Sequence, residues 1–137
     1  MIEEDPVAGD QTVGLAVTGV HARTIEFVVA NQNDPPALYR GSLTLPTNLT
    51  GTIPALLTAA TQQPPVNLSE VTMDWGSRRL FTLHGYIDPN RLTVVDSALN
   101  ETQTSATFDG VGNEGATCSP DGAIWLANDL GGVTSRR

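Results

Sequence analysis

The chain has 137 residues and a net charge of −8, with fifteen acidic residues against seven basic ones. That length fits one domain or part of a larger one, and a surface this acidic argues against nucleic acid and anionic membranes, which need clustered positive charge. The longest apolar runs are only a few residues, so no membrane span is expected.

Residues 1–12 read as an acidic tail, opening Met1-Ile2-Glu3-Glu4-Asp5, without the basic and apolar regions of a signal peptide. From Val13 onward, short apolar or alternating runs are divided by Gly, Pro, Asn and Asp. That is the pattern of an all-β chain with tight turns. Strands are expected over 13–18, 24–30, 37–44, 70–75, 79–85, 91–96, 102–108, 115–118 and 123–127. Residues 46–67 read as a long Pro/Thr-rich connecting loop, in which only Ile53–Thr61 has the spacing of a short helical turn. Cys118 is the only cysteine, so no internal disulfide forms.

Three segments share one order of features. They cover about 13–45, 69–108 and 113–137. In each, a short strand ends in a turn, and a second strand follows with an apolar–aromatic pair: Ile25/Phe27, Leu80/Phe81 and Ile124/Trp125. A polar proline turn and a third strand come next in the first two segments, at Asn33-Asp34-Pro35-Pro36 and at Ile87-Asp88-Pro89-Asn90. Short strands repeating at this period point to a β-propeller of four-stranded antiparallel blades, about two and a half of them, across 13–137. A β-sandwich or jelly roll is the alternative; it would show similar strands without the repeated turn chemistry. The aromatic residues Trp75, Trp125, Phe27, Phe81 and Phe108 read as packing between blades.

The stretches "LSEVTMDWGSRRLFTLHGYIDPNRLTVVD" and "GVGNEGATCSPDGAIWLANDLGG" together resemble the SdiA-regulated and phytase-like β-propeller families. The resemblance runs from about Val13 to Gly132. It implies a propeller of roughly six blades in complete relatives, so that this chain is a fragment or associates with itself to complete the ring. It also implies a periplasmic or extracellular location and, through the family naming alone, hydrolysis of a small-molecule ester.

In the propeller arrangement Glu70 and Glu114 each begin the innermost strand of a blade, facing the central channel. Inward carboxylates with the amide oxygen of Asn113 and the hydroxyl of Ser69 beside them suit Ca²⁺, a hard ion that takes oxygen ligands. The same acids can instead bind turn amides. His84, Asn128 and Asp129 close the second strands of their units and are candidates for facing a ligand; turn-forming polar residues are the alternative. Ser119-Pro120-Asp121-Gly122 is a hairpin turn, with Pro setting the first torsion and Gly taking φ > 0. No nucleophile–base pair is legible. Three functions remain open: a calcium-binding phytase-like propeller, a non-catalytic scaffold for a protein or glycan, and a structural β-protein of a virion or surface layer.

Overall fold

A computed structural model describes residues 12–32, 36–48, 50–62, 68–85, 87, 89–108, 112–128 and 132–136. Among these there is no helix and the chain is all-β. Among the described residues eleven strands form three antiparallel sheets, each an uninterrupted meander. Sheet 1 holds β1 (Thr12–His21), β2 (Thr24–Asn31), β3 (Ala37–Thr44) and β4 (Leu56–Gln62). Sheet 2 holds β5 (Glu70–Asp74), β6 (Arg79–His84), β7 (Asn90–Val95) and β8 (Glu101–Phe108). Sheet 3 holds β9 (Asn113–Cys118), β10 (Ile124–Asn128) and β11 (Gly132–Arg136).

Two expectations are corrected here. The 46–67 loop contains β4, and the run expected to make a helical turn is extended instead. Its Ala and Leu residues favour helix in isolation, but β3 offers an open edge, and β4 pairs with it from Ser42↔Leu56 to Ala37↔Gln62. The third unit also has three strands where the sequence showed two: β11 pairs with β10 from Asn128↔Gly132 to Ile124↔Arg136. The acidic tail lies outside the described residues, apart from Thr12 at the start of β1.

Side chains alternate across a strand, so a sheet with a neighbour on each side must be apolar on both faces. Sheet 2 is built that way. Val71, Leu80 and Val95 pack toward sheet 1 with Ala16, Val28, Ala30 and Leu38. Phe81, Leu83, Leu92 and Phe108 pack the other way, with Leu126 of sheet 3. Full burial of each large side chain contributes about 1.5–3 kcal/mol. The first strands lie beside one another, β1 against β5 and β5 against β9. The described residues hold no closed sheet.

The aromatic expectation is half right. Phe27, Phe81 and Phe108 are buried, but Trp75 and Trp125 are 48% and 44% exposed. Trp75 sits in the β5–β6 turn, where Arg78 lies over its ring at 5.6 Å. Phe27 packs within its own sheet: a Cβ on Gly41 would stand 2.5 Å from its Cζ.

The turns at one end of the sheets satisfy themselves. In the β9–β10 turn Gly122 has φ +82°, and its N–H donates to the Ser119 carbonyl at 2.9 Å. The β7–β8 turn holds Leu99 at φ +66°, an unfavourable value for a side-chain-bearing residue. Asp96 supports it, with Oδ1 accepting from the amides of Ala98 (2.8 Å) and Asn100 (2.9 Å). Sheet 1 grips the same turn: Arg40 Nη2 donates to the Ser97 carbonyl at 2.9 Å, and Thr61 Oγ1 to that of Ala98 at 3.0 Å.

Candidate functional site: the polar end of the three sheets

At the opposite end the second strands finish on Asn31, His84 and Asn128, and the strands that follow or precede them begin on Asn90 and Asn113. Asn31, His84, Asn90 and Asn113 are buried, and Asn128 is half-buried. Buried polar groups require partners, and an amide chain supplies several: Asn113 Nδ2 donates to Asn90 Oδ1 (2.7 Å), and Asn90 Nδ2 to the Ile87 carbonyl (2.7 Å). Asn128 Nδ2 reaches Asn113 Oδ1 at 3.5 Å. Asp129 lies outside the described residues.

His84 has no exposed side-chain surface, and its Nε2 contacts Glu101 Oε1. Thr82 Oγ1 donates to the same oxygen at 2.5 Å, and Arg91 Nη2 lies 3.8 Å from Glu101 Oε2. Burial raises the Glu101 pKa, but the hydrogen bonds from His84 and Thr82 and the attraction of His84 and Arg91 outweigh it and hold the carboxyl below its ordinary value. Within this buried cluster His84 Nδ1, Arg91 Nε and Thr93 Oγ1 find no hydrogen-bond partner among the described residues, nor does Asn31 Oδ1. The carboxylate sits between hydroxyl and imidazole. A nucleophile–base pair needs the imidazole in the middle, so this chain of groups is not a Ser–His–Asp-type arrangement.

Glu101 escaped the sequence reading. The signal available was indirect: His84 ends the apolar run Leu80-Phe81-Thr82-Leu83, so its imidazole is buried and needs a partner. Nothing local says that the partner comes from two strands away.

Glu70 folds over the edge of β5 toward sheet 1. Its Oε1 accepts the Val71 amide at 2.8 Å, and the carboxyl is also held by the Leu15 amide. Gly14 makes room, since a Cβ there would stand 1.9 Å from Oε1. Burial pushes the carboxyl up to about 7, against the smaller lowering by the two amides. The folded protein therefore prefers the neutral acid. Its stabilising contribution is complete below the unfolded value of 4.5 and is lost as pH rises to about 7. Glu70→Gln keeps the acceptor oxygen and removes the charge. The variant should gain roughly 1–2 kcal/mol over the parent at pH 8, after discounting for solvent screening, and nothing at pH 4. Urea denaturation at the two pH values tests this; equal gains at both would rule out the titration.

Glu114 is exposed, at a register shift of β9 between the Ala127↔Gly115 and Asn128↔Asn113 pairs. The registers pair Gly14 with Ala30, Glu70 with Leu83 and Gly115 with Ala127, each next to the last residue of its second strand. The positions equivalent to Glu70 are thus Gly14 and Gly115, whereas the sequence had set Glu114 beside it. Among the described residues no three His, Cys, Asp or Glu side chains gather in one place.

No protein-family model matches the chain, and neither a curated protein nor a solved structure matches it.

Proposed function

We propose that the chain is a non-catalytic binding scaffold of propeller type, its successive sheets set about an axis beside β1, β5 and β9, and its polar end turned to a glycan. One observation carries this reading: the middle sheet is buried on both faces while the three first strands lie side by side, and the strand ends at one end are a layer of amide and imidazole side chains. Uncharged amides offer a donor and an acceptor together, which suits sugar hydroxyls; Asn128, half-buried at the end of β10, is the amide of this layer that reaches the surface, and the buried Asn90 and Asn113 hold it in place. Rigid sheets ending in loops are a common support for recognition. The resemblance to phytase-like propellers supports the architecture and supplies the competing function, a calcium-dependent one.

Calorimetric titration with neutral oligosaccharides, in calcium and in chelator, separates the two. The scaffold reading expects binding that survives chelation and weakens about tenfold or more in Asn128→Ala, the loss of one or two hydrogen bonds. No glycan binding, together with a calcium-induced rise in Tm that is lost in Glu114→Gln, would overturn it in favour of the calcium-dependent function.

A further inference from the structure

The two joints between sheets are built alike, and each has a leading and a trailing partner. By register, Val28, Phe81 and Trp125 hold one equivalent position, opposite Ala16, Thr72 and Thr117. Leu15, Val71 and Ala116 hold another, opposite Val29, Thr82 and Leu126. In the first joint Val71 of sheet 2 packs in one cluster with Ala16, Val28 and Ala30 of sheet 1. In the second, Ala116 of sheet 3 packs against the cluster of Phe81 and Leu83 of sheet 2.

The members left over are both exposed. Trp125 on the leading face of sheet 3 is 44% exposed, although Val28 and Phe81 at the same position are 1% and 6% exposed. Leu15 on the trailing face of sheet 1 is 45% exposed, although Val71 at its position is 1% exposed. Val20 lies on the same face as Leu15 and is 61% exposed. Around Trp125 a hollow of about 290 Å³ is lined by Gly115, Thr117 and Ala127, together with Glu70, Ala116 and Leu126. Gly115 and Ala127 repeat the small residues Gly14 and Ala30 of the first joint.

We propose that a second copy of this chain docks head to tail, its Leu15 seated in the hollow beside Trp125, so that sheet 1 of one copy follows sheet 3 of the other as sheet 2 follows sheet 1. The occupant is argued from the match between the exposed parts of the two faces, Leu15 and Val20 on sheet 1, where Phe27 and Val29 are already covered within the chain, and Trp125 with its hollow on sheet 3; each belongs to one half of a joint that the chain already makes twice. Such a contact is heterologous, using different patches on the two partners. It rests on the repeated-sheet architecture of the proposed scaffold but not on what that scaffold binds.

Sedimentation velocity of the full chain over a wide concentration range tests it. The parent should form a species larger than a monomer, and Trp125→Glu and Leu15→Glu should each lose it while keeping the parent's urea midpoint. Mixing the two variants should restore a dimer, since one carries an intact Trp125 face and the other an intact Leu15 face. Val20→Glu provides a second break of the sheet 1 face should Leu15→Glu fold poorly. A parent that stays monomeric throughout overturns the proposal, as does a Leu15→Glu chain that associates like the parent, which would mean that like faces meet. A monomer that still binds oligosaccharide removes the self-association alone and leaves the scaffold function standing.

Discussion

Gly85→Ala should cost about 3 kcal/mol or more and loosen sheet 3 from sheet 2. A Cβ at this position would stand 1.6 Å from the Asn113 carbonyl oxygen and 2.6 Å from its carbon. These are main-chain atoms, so no rotamer change relieves the clash. Nor can Gly85 move away easily. Its N–H is held by Ser69 Oγ at 3.0 Å, and its carbonyl accepts the Gly112 amide at 2.7 Å. Ser69 is itself fixed, its own N–H donating to the Leu83 carbonyl at 2.8 Å. Gly122→Ala is the control. Its φ of +82° makes alanine unfavourable, but nothing lies within 4 Å of a Cβ there, so the cost should stay near 1–2 kcal/mol. Urea unfolding followed by circular dichroism compares them. If Gly85→Ala loses no more than Gly122→Ala, the close approach of Gly85 to Asn113 is wrong.

The second large effect is expected at Glu101. Its removal in Glu101→Ala leaves Arg91 and the buried His84 without their carboxylate, and breaking a buried pair from one side costs about 3–5 kcal/mol. Glu101→Gln isolates the charge, because the amide keeps the shape and one acceptor. The pH dependence follows from the direction of the shift. The folded pKa lies below the unfolded value of 4.5, so the contribution of Glu101 is complete above 4.5 and is lost as pH falls through the lower folded value. Glu101→Gln should therefore be less stable than the parent at pH 7 and approach it in acid. Paired denaturation curves at the two ends of that range measure it; a gap that does not narrow in acid would show that the carboxylate's charge is not what the cluster uses.

Much of the architecture was legible because it is local. The apolar run in Arg79–His84 and the turn residues of Ser119-Pro120-Asp121-Gly122 report on their own neighbours, and strands and turn stand where those residues put them. Leu56–Gln62 was hidden, because its residues favour helix and only the edge of β3 makes them extended. Gly132–Arg136 carries too few apolar residues to signal a strand, and pairing with β10 decides it. The candidate site was legible by residue and not by partner. His84 and Asn128 were picked out as strand-end polar groups and Asn113 as an oxygen donor beside Glu114, but the carboxylate that meets His84 comes from Glu101 at the start of β8, two strands away in the sheet. Glu70 and Glu114 looked equivalent in sequence because the register shift in β9 offsets them by one residue, and one residue is enough to reverse the face.

Among the described residues every ladder joins strands that are consecutive in the chain. Each sheet, in its described strands, is therefore a cassette: one contiguous piece of polypeptide supplies them all. Duplicating or excising such a piece rethreads nothing and needs only that the two faces brought together be of the kinds already in contact. The number of sheets is thus a quantity that evolution, or an engineer, can change by whole units without redesigning any of them.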